Sequence, residues 1–118
     1  MVVNCTKIRN IGIVTVEHAL TAANVDAFRE QLLNWQEGER DVKNYVIDLE
    51  KVDFMDSAGL GTLIAILKRV TERGGDLKIA CLQKKPRMVF EITRAYKVFE
   101  IYDSVEDAIR AFSPSGRR

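Results

Sequence analysis

A chain of 118 residues, 47% hydrophobic and 30% charged, is long enough to bury one core and too short for two independent ones. Its 18 Lys and Arg against 17 Asp and Glu leave a net charge of +1, which excludes the basic footprint of a nucleic-acid binder and points to no partner by charge. No apolar run approaches the roughly 18 residues needed to cross a bilayer, and "MVVNCTKIRN" lacks the layout of a signal peptide, so a cytoplasmic protein without membrane insertion is expected.

Residues 2–9 and 11–17 are β-branched runs meeting at Asn10-Ile11-Gly12, which predicts an N-terminal hairpin. From Thr21, read as an N-cap, "TAANVDAFREQLLNW" sets Val25, Phe28, Leu32 and Trp35 on one helical face and Asp26, Arg29 and Glu30 on others, with Gly38 as the stop. "YVIDL" (45–49) reads as an interior strand. Leu60, Leu63, Ile64, Leu67 and Val70 then recur at helical spacing, predicting a helix over 57–73 that ends at Gly74-Gly75. "DLKIACL" (76–82) is the next strand, and Pro86 suits the first turn of a helix reaching about Arg94 with Val89 and Ile92 inward. "VFEIY" (98–102) adds a short strand before a last helix capped by Ser104, with Val105, Ala108, Ile109 and Phe112 inward.

Strands alternating with helices imply parallel pairings with right-handed crossovers, and the opening hairpin makes the sheet mixed, with about four helices. The class is α/β. One domain spans 1–112, and "SPSGRR" (113–118), with nothing to bury, reads as a flexible tail. Cys5 and Cys81 lie far apart in strand-like segments without His or Cys at ligand spacing, so they read as buried thiols rather than a metal or redox site.

The chemistry concentrates in "DFMDSAGLGTL" (53–63). Asp56 or Ser57 is the natural N-cap of the following helix, and a plain cap is the simplest role for either. A capping box would place Glu or Gln three residues on, where Gly59 or Leu60 stands, so the helix start reads as under-capped. Gly59 and Gly61 each cost about 1 kcal/mol relative to Ala inside a helix, which suggests bare backbone offered to another molecule. The helix N-terminus also tolerates an anion, including a phosphate carried by Ser57 itself. Asp48, Asp53 and Asp56 form an acidic trio, but the acidic pair and lysine of a phospho-acceptor aspartate domain are missing. No GxxxxGK[ST], GxGxxG, HExxH or GxSxG is present, so no catalytic residue, cofactor or metal is expected. His18 stands alone and reads as a turn residue.

"VIDLEKVDFMDSAGLGTL" (46–63) resembles the signature of the STAS domain, in particular of bacterial anti-sigma factor antagonists, in which a strand leads through Asp-Ser to a Gly-Leu-Gly helix start. The order of elements is similar over nearly the whole chain. The resemblance implies a non-enzymatic regulator: Ser57 is the residue phosphorylated by a GHKL-type serine kinase that doubles as the anti-sigma factor, and a PP2C-type phosphatase reverses the step. It further implies a partner-binding surface of Asp56, Ser57, Ala58, Gly59, Leu60, Gly61 and Thr62. The same resemblance leaves two other readings open: a STAS module serving a secretion or transporter client, and a small-ligand or nucleotide-binding domain. The chain departs from the family pattern at His18, at Arg94-Ala95 where Gly-Leu is common, and at Ala58, which replaces a frequent second serine and leaves Ser57 as the motif's one serine.

Overall fold

A computed structural model of the chain describes residues 1–112; the tail expected over 113–118 lies outside the described residues. Strands β1 (Val3–Ile8) and β2 (Ile11–Val16) form the opening hairpin. Helix α1 (Val25–Gly38), strand β3 (Asn44–Asp48), helix α2 (Ser57–Glu72), strand β4 (Leu77–Ala80), helix α3 (Lys84–Ile92), strand β5 (Glu100–Tyr102) and helix α4 (Val105–Phe112) follow. The sheet has the order β1-β2-β3-β4-β5, antiparallel between β1 and β2 and parallel thereafter. This is the mixed α/β architecture that the sequence predicts.

Because each crossover steps one strand in the same direction, right-handedness places α1, α2 and α3 on one face of the sheet. That face holds the larger core, in which Val14, Ile47, Leu77 and Ile79 meet Phe28, Leu32, Leu63 and Phe90. Helix α4 alone covers the other face, laying Ala108 and Ile109 on Ile11, Ile13, Val46 and Ala80. The alternation of strand side chains between the two faces is the period-2 pattern of a sheet covered on both sides. Ser104 caps α4 as expected, its Oγ accepting from the Asp107 N–H at 3.0 Å.

Several local expectations are corrected. The hairpin turns at Arg9-Asn10, both with positive φ (50° and 65°), and Ile11 and Gly12 already belong to β2. A two-residue turn of this hand matches the twist of the strands it joins. Thr21 does not cap α1: its Oγ1 accepts from the Ala23 N–H within a preceding turn, and Asn24 occupies the N-cap position. On α2, Ile66 is buried and Ile64 exposed. At about 100° per residue the buried arc is rotated by roughly 60° from the predicted stripe, toward Gly59 and Thr62. On α3, Pro86 and Phe90, one turn apart, face the core, and Ile92 is 79% exposed on the far side. Cys5 and Cys81 are half-buried, and burial pushes both thiols up to about 11.

Lys78 on β4 escaped the sequence reading. It is buried beside α4, with Nζ 3.1 Å from Asp76, paired with Glu100 and 4.6 Å from the Phe112 ring centroid. Burial alone would lower its pKa, but the Glu100 and Asp76 carboxylates outweigh that and hold it above the ordinary lysine value.

Helix α2 ends in a Schellman motif: Gly74 takes φ +86°, and the N–H groups of Gly74 and Gly75 return to the carbonyls of Thr71 and Val70. A Cβ at Gly75 would lie 1.8 Å from the Lys43 carbonyl oxygen. Gly75→Ala should therefore destabilise the fold by about 1–3 kcal/mol. Arg94 holds φ +62° where glycine has no steric penalty, so Arg94→Gly should stabilise by up to about 1 kcal/mol. Urea unfolding of both variants checks the two signs.

Candidate functional site

The parallel pairing of β2 with β3 brings Thr15 opposite Asp48 and sets the loops that leave these two strands side by side. The ladder continues beyond the strands as an isolated parallel bridge between Leu20 and Met55. There the Leu20 N–H donates to the Phe54 carbonyl at 3.1 Å, and the Asp56 N–H donates to the Leu20 carbonyl at 3.3 Å. Leu20 and Met55 are buried anchors beneath the bridge. The surface between Glu17 and Gly61 is therefore a rigid extension of the sheet at the carboxyl ends of its strands.

Asp56 locks this surface. Its backbone is extended at the N-cap of α2; Oδ1 accepts from the Gly59 N–H at 2.9 Å and Oδ2 accepts from the Ala22 N–H at 3.0 Å. The expectation of an under-capped helix start is thus corrected: the carboxylate caps α2 with one oxygen and ties down the loop before α1 with the other. Backbone donors from Gly59 and Ala22 stabilise the charged form and hold its pKa below the usual carboxylate range.

The two glycines separate in role. A Cβ on Gly59 would come within 2.3 Å of the Leu20 carbonyl oxygen, so its bare backbone is filled from inside the molecule by the neighbouring loop. Gly61 is exposed and has nothing within 4 Å of where a Cβ would sit. Leu60 and Thr62 are also buried, each 4% exposed, and the Thr62 hydroxyl donates to the Ala58 carbonyl at 2.9 Å. The seven residues singled out in the sequence therefore divide: Ser57 and Gly61 are exposed, Asp56 and Ala58 partly so, and Gly59, Leu60 and Thr62 face inward.

Ser57 is the first residue of α2 and is exposed, and its hydroxyl has no hydrogen-bond partner among the described residues. Three residues upstream, Phe54 is 51% exposed on a backbone pinned to Leu20. In the sequence, the one signal for Phe54 is an aromatic residue between charged Asp53 and the Asp-Ser pair. His18 is exposed and belongs to the same loop system. Asp48 is buried, with Oδ1 accepting from the Glu50 N–H at 3.0 Å, so the acidic trio does not converge. Among the described residues no group of three His, Cys, Asp or Glu side chains is placed to hold a metal ion, and no helix is long and apolar enough to cross a membrane.

The model of the STAS domain matches residues 3–108. The chain belongs to the STAS family. A Bordetella bronchiseptica protein, BtrV, which carries a provisional name as an anti-sigma factor antagonist, is 31% identical over 107 residues that cover 90% of each chain. The anti-sigma-B factor antagonist of Bacillus subtilis is 28% identical over 97 residues, covering 82% of this chain and 86% of that one. In structure, the Bacillus protein SpoIIAA, described as a cell fate determinant and solved in its phosphorylated form, superposes with a TM-score of 0.70 at 17% identity over 94% of this chain and 99% of its own.

The lock at Asp56 yields a pH signature. Its folded-state pKa lies below the free value, so the carboxylate adds stability above about pH 4, and this contribution fades as the pH falls through the lowered value. Asp56→Ala should lower the urea midpoint at neutral pH, and the gap from the unaltered protein should narrow as the pH falls below the free carboxylate value and through the lowered one. Unfolding curves across that range read out the convergence.

Proposed function

We propose that this chain is an anti-sigma factor antagonist that works by partner switching, with Ser57 as its phosphorylation site. Unphosphorylated, it docks on a serine kinase of the GHKL ATPase type that also serves as the anti-sigma factor, and docking releases that kinase's client. The kinase brings ATP and the catalytic groups; this chain brings the hydroxyl. A PP2C-type phosphatase resets the cycle. The observation that carries the reading is the placement of an exposed, unengaged Ser57 hydroxyl on a fixed surface directly beside an ionised carboxylate. The names of the relatives support it, as does the phosphorylated form known for SpoIIAA.

The switch follows from charge. Phosphorylation adds about −1.5 to −2 charges and three acceptor oxygens to a surface that must shed water on docking. Asp56 cannot swing away, because both of its oxygens are committed to backbone donors. The α2 dipole offsets only about 0.3–1 kcal/mol of the local cost, so the repulsion is felt across the interface. A loss of about 3–4 kcal/mol weakens binding by two to three orders of magnitude. No internal rearrangement is required.

The docking surface consists of Asp56, Ser57, Ala58, Gly61 and Phe54. Gly59, Leu60 and Thr62 shape it from below. An exposed aromatic on a pinned backbone is the kind of residue that anchors an interface.

Calorimetric titration against the kinase recovered by this chain from a lysate of its source organism tests the proposal. Ser57→Ala should bind as tightly as the unphosphorylated protein and resist ATP-driven release. Ser57→Asp, with one charge in place of nearly two, should bind more weakly than Ser57→Ala, though less weakly than the phosphoprotein. Equal affinity of the two variants would remove charge at position 57 as the switch. Phe54→Ala should cost about 1–3 kcal/mol of binding with little change in melting temperature, since the side chain packs mainly against solvent.

A further inference from the structure

At the end of the domain away from Ser57, the last turns of α1 and α2 enclose a groove that the partner-switching reading leaves unused. Leu33, Gln36, Glu37, Arg40, Arg69 and Arg73 line its widest part, a solvent-open cavity of about 360 Å³. A narrower cavity of about 100 Å³ continues from it between the helices, walled by Leu32, Leu33, Ala65 and Ile66. The floor at the other side reaches Val42 and the ring of Tyr45.

The charge is one-sided. Arg40, Arg69 and Arg73 form no ion pair among the described residues, as is true of most lysines and arginines on this surface, and Lys43 adds a fourth cation on the side of the groove that reaches Val42 and Tyr45. Glu37 is the single carboxylate on the wall, and it lies beyond ion-pairing distance of the three guanidiniums. Arg69 and Arg73 stand one turn apart at the carbonyl end of α2 and Arg40 just beyond the carbonyl end of α1, both places where cations are favoured, and the two helix ends bring the three residues to one cavity. Three arginines lining one cavity supply the kind of donors that suit the oxygens of a phosphate or carboxylate.

We infer that this groove is a binding site for an amphiphilic anion, whose phosphate or carboxylate head is held by Arg40, Arg69 and Arg73 and whose apolar tail lies between Leu33 and Ala65. The widest cavity falls within the volume range of small-molecule sites and is polar apart from Leu33; the apolar walls are those of the narrower cavity, Leu32, Leu33, Ala65 and Ile66. By helix rise, the groove runs from about 12 Å (Ala65) to about 24 Å (Arg73) from Ser57 along α2, so occupancy and phosphorylation are spatially separate.

Titration of the full chain with dodecyl phosphate and with dodecanoate, below their micellar concentrations, and with inorganic phosphate tests the site. At least one of the two amphiphiles should bind about tenfold or more tightly than inorganic phosphate, and the preferred one identifies the head group. The double variant Arg69→Gln/Arg73→Gln should weaken that binding about tenfold. Ala65→Trp, at an exposed position on the tail path, should reduce the amphiphile to the level of inorganic phosphate while the melting temperature stays near that of the unaltered protein. Amphiphile binding no tighter than that of inorganic phosphate, or binding unmoved by both variants, would overturn the inference.

Discussion

The Asp56 carboxylate is the constraint on which the functional end of the domain depends. One oxygen caps α2 and the other fastens the loop before α1, so two segments separated by 34 residues are held by a single side chain. The close approach of Leu20 to Gly59 is the steric counterpart of that bond: the loop can sit where it does only because position 59 carries no Cβ. The Leu20–Met55 bridge then transmits the rigidity of the parallel sheet to the surface. Ser57 is presented at a fixed position because everything beneath it is hydrogen-bonded or packed.

In the proposed mechanism, this rigidity lets a small domain act as a switch without a moving part at the Ser57 end. A fixed surface responds to a new charge by losing complementarity rather than by changing shape, since its nearest carboxylate is already ionised and immobile. The same packing separates the two ends of α2. Its N-terminus carries the hydroxyl and the carboxylate, and its C-terminus carries two of the three unpaired arginines of the groove.

Most of the architecture was legible in the sequence, because the strands are short β-branched runs and the helices carry apolar residues at a regular spacing. What escaped was decided by neighbours that the sequence does not display. The burial of Ile66 in place of Ile64 follows from α2 rolling onto its glycine and threonine side, which Gly59 permits and which Thr62 tolerates by returning its hydroxyl to the Ala58 carbonyl. The positive φ at Arg9, Asn10 and Arg94 falls on residues whose side chains give no sign of it. Lys78 reads as an interruption of an apolar strand until β5 places Glu100 beside it. For the site, the motif identified Ser57 and Asp56, but the direction in which each neighbour faces required the fold. Gly59 looked like backbone offered outward and is occupied from within.

In the proposed switch, Ser57 is the residue that changes state. Incubation of the full chain with the proposed GHKL-type kinase partner and ATP, followed by mapping of the phosphate by mass spectrometry, is the measurement that decides it. Stoichiometric phosphate is expected on Ser57, whose hydroxyl is exposed and unengaged, and none on Thr62, whose hydroxyl is buried against the Ala58 carbonyl. Phosphate on Thr62 or Ser104 with Ser57 unmodified would contradict it.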